Sequence, residues 1–222
     1  MPNIKLVSLL RNPIDRAFSH YKMQVLRNAE HRTFDEVVDD LLREEAIEKG
    51  RKCRLGNYSS YMEAEKWCYL VWGEYDRIIS SYMEHFSKKQ IKILYTKNLS
   101  KKTSKVLNDF FGFVGVNDNF VPSNIQKKYH TSDDERVRKD GLLSARGEGG
   151  VVDKTMRILG KAVPETMKKI AYIVNKSFLK KSDEPSMSKK TRKKLVSFYR
   201  PDVLKLEKTL KEKPPWDEFY ND

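Results

Sequence analysis

Apolar and polar positions alternate along this chain in blocks that predict its elements. Ile4-Lys-Leu-Val-Ser-Leu-Leu10 is nearly continuous in Leu, Val and Ile, the pattern of a strand buried on both faces. A helix is expected at once after it. Asn12 suits the N-cap, Pro13 the first helical position, and Asp15 sets a negative charge in the first turn. This helix runs to about Asn28, with Ile14, Ala17, Phe18, Tyr21 and Val25 on one face and Ser19 off the centre of that stripe, where it can face a ligand. Thr33-Phe-Asp-Glu36 reads as a capping box for a second helix carrying Phe34, Val37, Val38, Leu41 and Leu42 and closed by Gly50. Tyr58 to Phe86 is aromatic and helical, interrupted near Gly73, and most of its rings are expected in the core. Gln90 to Tyr95 predicts a second strand. Asn98-Leu-Ser100 then opens a helix with Val106, Leu107, Phe110 and Phe111, ending at Gly112–Gly115. Residues 117–150 lose periodicity and read as a loop. Residues 151–180 carry an apolar stripe over two helices, the second starting near Pro164, and Lys180 to Ser188 is a linker. The last helix starts at Ser188, and Trp216 follows it.

Composition bounds what such a chain can do. Its 222 residues suit one domain, 39% of them hydrophobic and 34% charged, with a formal net charge of +13. A field of that sign favours polyanions: nucleic acid, sulfated glycan, anionic lipid or a nucleotide. The chain carries no helix-turn-helix, zinc-finger or RNP signature, so nucleic acid is not expected as a partner. Much of the charge lies in Lys189–Lys194 and reads as a solvated face. Cys53 and Cys68 lack metal spacing and are too few for a disulfide framework, and Cys68 reads as a buried thiol. The four histidines are scattered, and no metal is expected. No signal peptide and no membrane-spanning run is recognised, so a cytoplasmic location is the expectation.

The chemistry concentrates at the first strand's end. A strand, a cation at Arg11, a helix N-terminus with free N–H groups and a hydroxyl further along are the parts from which folds build phosphate pockets, although an ordinary strand-to-helix turn shares most of them. The spelling R-N-P-x-x-R-A-x-S-x-Y over Arg11 to Tyr21 resembles the 3′-phosphate-binding motif of the sulfotransferase family. Those enzymes take a sulfuryl group from 3′-phosphoadenosine 5′-phosphosulfate (PAPS). In the family, the Arg that opens the motif and the Ser eight positions later hold the 3′-phosphate. Here these are Arg11 and Ser19, and Arg16 matches a position that is often basic in the carbohydrate and heparan-sulfate type.

The likeness continues in order. Trp72-Gly-Glu-Tyr75 resembles the family's G-x-Y helix, residues 90–115 its next strand and helix, and Ser188 to Trp216 its closing helix and terminal Trp. Many members carry an acid where Lys97 stands. Lys127 and Lys128 fall where a basic lid over the cofactor is expected. The resemblance implies a helix-rich α/β fold of the P-loop-NTPase-like kind with a short parallel sheet, spanning residues 1–222 as one domain: a motif-bearing core (1–121), a variable part (122–185) and a closing helix (186–222). It also implies PAPS as co-substrate and a hydroxyl or amine acceptor, and the motif's spelling leans to a carbohydrate or glycolipid.

The family's Gly-rich loop with a Lys for the 5′-phosphosulfate is not found, nor is its usual base, so no catalytic residue is assigned and the domain reads as N-terminally truncated. Two other readings stay open: a non-catalytic relative that binds a nucleotide or anionic glycan, and a basic nucleic-acid- or membrane-binding protein. A sheet that begins at the first strand exposes an edge, which invites a second copy or a completing chain.

Overall fold

The computed structural model describes residues 4–26, 29–53, 65–117, 120–123, 125 and 185–221. The expected 151–180 helices, Lys127 and Lys128 lie outside them. The chain divides into two compact units. One comprises Met1–Ser19, Asp35–Lys127 and Met187–Asp222. The other comprises His20–Phe34 and Lys128–Ser186.

In the first unit, strand β1 (Leu6–Leu10) pairs in parallel with β2 (Ile91–Tyr95), Leu6 beside Ile91 and Leu10 beside Tyr95. The parallel register puts Leu6, Ser8 and Leu10 on one face with Ile91, Ile93 and Tyr95. Leu10 and Tyr95 are buried there. The other face is open: Val7 is 40% exposed and Leu9 48%. The expectation that β1 is buried on both faces is therefore corrected. A continuous apolar run is equally compatible with a strand covered on one side, and only the packing decides.

Helix α1 (Pro13–Leu26) follows β1 after two residues. The single helix expected from Phe34 to Gly50 is two, α2 (Phe34–Leu41) and α3 (Glu44–Lys52). Gly50 lies inside α3 rather than closing it. A Cβ there would stand 2.5 Å from the Trp67 carbonyl oxygen, so the glycine is required by close backbone approach. After a 3₁₀ turn at Val71–Gly73 come α4 (Tyr75–Met83), β2, α5 (Thr96–Lys101), α6 (Thr103–Val114) and α7 (Lys189–Leu210). Gly115 ends α6 in the left-handed region at φ 87°, a position that suits glycine.

Ser188 caps α7, its hydroxyl accepting from the Thr191 amide at 3.1 Å. Leu195, Tyr199, Val203 and Leu206 recur on one face of α7 and are wholly buried. The Tyr199 hydroxyl donates to the Leu70 carbonyl, and Asp202 accepts from the first amides of α4. Among the described residues, no helix is long and apolar enough to cross a membrane.

The second unit includes the C-terminal half of α1. There Tyr21 stacks obliquely on Phe34 at 5.1 Å and donates its hydroxyl to the Arg32 carbonyl.

Candidate functional site

The β1–α1 turn is built by its own sequence. Asn12 Oδ1 accepts from the amides of Ile14 (2.9 Å) and Asp15 (3.2 Å), its carbonyl takes the Arg16 amide, and Pro13 has no N–H. The expected free N–H groups at the start of α1 are thus already satisfied. An anion at this turn must be held by side chains rather than by the helix end.

Those side chains surround a cleft of about 610 Å³, lined by Arg11, Asn12 and Asp15 from the turn, Thr96, Lys97 and Ser100 from α5, Arg192 from α7, and Pro215–Glu218 from the tail. Of these residues, Trp216 packs on two tyrosines outside the lining. Trp216 lies 5.7 Å from both Tyr75 and Tyr95, edge-on to the latter, and the Tyr75 hydroxyl donates to the Arg11 carbonyl at 2.8 Å. Burial pushes the Tyr75 hydroxyl up to about 12, so it remains a neutral donor near neutral pH.

The walls are charged in pairs. Arg192 meets Glu218 at 2.9 Å and Asp15 at 3.3 Å, and Lys97 meets Asp217 at 3.1 Å. Burial alone would lower the Arg192 pKa, but Glu218 and Asp15 outweigh it and raise it; Lys97 holds the Asp217 carboxyl below the usual range. Arg11 is different. It is exposed at the end of β1, and among the described residues its guanidinium has no ion pair.

Ser19 stands one turn beyond Asp15 on the same face of α1, half-buried, outside the cleft lining. Its hydroxyl has no hydrogen-bond partner among the described residues. Arg16 turns the other way: its guanidinium donates to the Tyr69 carbonyl and lies near the buried Tyr75 and Tyr199. The structure therefore brings Arg11 to the cleft, places Ser19 along the helix that lines it, and commits Arg16 to the interior.

Comparison with known proteins shows the family of the chain. Residues 1–144 match the family model described as "Sulfotransferase domain", well over half of the 222 residues. The chain belongs to this family. The fold is similar to that of a solved sulfotransferase from Alicyclobacillus acidocaldarius, with a TM-score of 0.55 and 20% identity over 99% of this chain and 59% of that one. At that identity the likeness concerns the sulfotransferase fold. The chain also spans less than two thirds of that structure's length. No curated protein matches the sequence.

Two residues of this sulfotransferase-family cleft escape a reading of the sequence. Arg192 sits in a basic run that reads as a solvated face, yet it is half-buried between two carboxylates. Its place directly after Thr191, which begins the buried row Thr191, Leu195, Tyr199, is the signal that separates it from its neighbours. Glu218 gives no local signal at all. Among the described residues, no group of His, Cys, Asp or Glu is placed to hold a metal ion.

Proposed function

We propose that this chain carries the 3′-phosphate clamp of a PAPS-dependent sulfotransferase acting on a hydroxyl or amine, with a carbohydrate or glycolipid as acceptor. The observation that carries the reading is the Arg11 guanidinium at the end of β1, which has no ion pair among the described residues, beside a helix that needs no anion for its own N-terminus. The available Ser19 hydroxyl on the same helix supports it. A cation and a hydroxyl that have no carboxylate and no hydrogen-bond partner among the described residues fit a phosphate monoester, which supplies charge and acceptor oxygens for both. The carbohydrate acceptor rests on the motif's spelling and on the polar walls of the cleft, where Thr96, Ser100 and the paired charges can meet a ligand rich in hydroxyls.

PAPS, when bound, supplies the sulfuryl group and leaves as adenosine 3′,5′-bisphosphate. Arg11 binds the 3′-phosphate by charge and a forked pair of N–H donors, and Ser19 donates its hydroxyl proton to a phosphate oxygen. Arg16 fixes the helix that carries Ser19 by gripping the Tyr69 carbonyl. The clamp distinguishes a 3′-phosphorylated nucleotide from an ordinary adenine nucleotide and orients the donor for in-line transfer.

Calorimetric titration with adenosine 3′,5′-bisphosphate tests the reading. Heat of binding is expected for the native chain, weakened by about 1.5–3 kcal/mol in Arg11→Ala, the scale of a charge-assisted hydrogen bond. No binding by the native chain would refute the clamp.

A further inference from the structure

Two side-chain arms hold the backbone that carries Arg11. The Tyr75 hydroxyl, 64 positions away in sequence, donates to the Arg11 carbonyl at 2.8 Å. The next residue, Asn12, donates from Nδ2 to Glu218 Oε1 at 2.6 Å. The two arms also meet each other: Trp216, two positions before Glu218, lies 5.7 Å from the Tyr75 ring. Arg11 stands between β1 and α1 and belongs to neither, so the strand and helix ladders do not fix its place.

From this arrangement we infer that Tyr75 is a positioning residue, which aims the Arg11 guanidinium and so sets the preference for a 3′-phosphorylated nucleotide. The inference rests on the nucleotide reading above and adds to it a residue from outside the cleft. Tyr75 is 7% exposed and does not line the cleft, so it acts through Arg11 rather than by touching a ligand.

The support of the hydroxyl is itself rigid. Tyr75 opens α4, and its ring packs on Trp216, which is buried and stands edge-on to the buried Tyr95 of β2. A guanidinium at the end of a long side chain makes its forked bonds to a phosphate in one geometry only. Holding its backbone beforehand lowers the cost of reaching that geometry, and a small misplacement of the turn forfeits it.

The test is calorimetry on the full chain with adenosine 3′,5′-bisphosphate and adenosine 5′-monophosphate, for the native protein, Tyr75→Phe, Arg11→Ala and the double variant. Tyr75→Phe keeps the ring and removes only the hydroxyl. It should reduce the preference for the bisphosphate about threefold or more, the scale of one neutral hydrogen bond, and leave the monophosphate affinity at its native value. In the Arg11→Ala background the same change should alter the ratio no further, because the residue through which it acts is gone. A loss shared equally by both nucleotides would make Tyr75 a structural residue alone and overturn the inference. A further loss of preference in Arg11→Ala would mean direct contact with the ligand, and would overturn it as well. A native preference that Tyr75→Phe leaves intact sinks the positioning role while the Arg11 clamp stands; no native preference sinks both. Should Tyr75→Phe not fold, Trp216→Phe loosens the same ring with its hydroxyl in place. A partial loss of preference, absent in the Arg11→Ala background, is then expected, and an unchanged ratio would overturn the inference.

Discussion

Asn12 and Glu218, 206 residues apart in sequence, are joined by a 2.6 Å hydrogen bond from Nδ2 to Oε1. The same Asn12 caps α1 through Oδ1, so one side chain shapes the start of the helix and fastens the C-terminal turn across the cleft. Asn12→Ala should therefore cost about 1–2 kcal/mol, at the upper end for a lost N-cap, read as a shift in urea midpoint. Asn12→Asp keeps the cap but removes the donor and sets a second carboxylate beside Glu218. It should recover only part of the loss.

Arg11 and Arg16, five positions apart in one motif, should separate cleanly on mutation. Arg16→Ala removes the donor to the Tyr69 carbonyl next to buried Tyr199, and a loss of stability of about 1–3 kcal/mol is expected. Arg11→Ala removes an exposed cation with no ion pair among the described residues and should leave the thermal midpoint within about 1–2 °C of native. Equal destabilisation by both changes, in parallel thermal melts, would contradict these assignments.

Tyr199 packs directly on Gly73: a Cβ there would lie 2.8 Å from the Tyr199 ring. Tyr199 is wholly buried and bonded to the Leu70 carbonyl, so the ring has nowhere to retreat. Gly73→Ala is expected to destabilise by about 1–3 kcal/mol through overpacking. Chemical denaturation checks it, and a neutral result would show that the 3₁₀ turn yields.

Asp202 accepts from the amides of Asp76 and Arg77 at 3.0 and 3.2 Å, and burial raises its pKa from 3.8 to about 6. In the folded state it therefore keeps its proton to higher pH than in the unfolded chain. Its contribution is full below the unfolded pKa and is lost as pH rises through about 6. Relative to Asp202→Asn, the native chain should lose about 1–2 kcal/mol of stability between about pH 4 and pH 7. Denaturation of both proteins at the two pH values isolates this group from carboxyls such as Glu30, whose pKa is lowered. A difference that does not change with pH would contradict the shift.

Local signals carried much of this fold. Asn12, Pro13 and Asp15 mark the start of α1, Ser188 marks α7, and the apolar runs at 6–10 and 91–95 become the two strands, because each depends on neighbours within a few positions. The open face of β1 was not legible, since Val7 and Leu9 look like core residues until one asks what covers them. Gly50 reads as a helix stop, and only the distant Trp67 carbonyl reveals a close approach. The cleft shows the same limit. Arg11 and Ser19 were visible in one motif, whereas Lys97, Arg192 and Glu218 reach it from separate elements, and no local pattern records their meeting.

The central claim concerns discrimination by one guanidinium, and a selectivity ratio tests it most directly. The affinities of adenosine 3′,5′-bisphosphate and adenosine 5′-monophosphate are measured by calorimetry on the native chain, Arg11→Ala and Ser19→Ala. The native chain should favour the bisphosphate by at least about tenfold, Arg11→Ala should lose most of that preference, and Ser19→Ala part of it. A preference that survives in Arg11→Ala, or none in the native chain, would contradict the account.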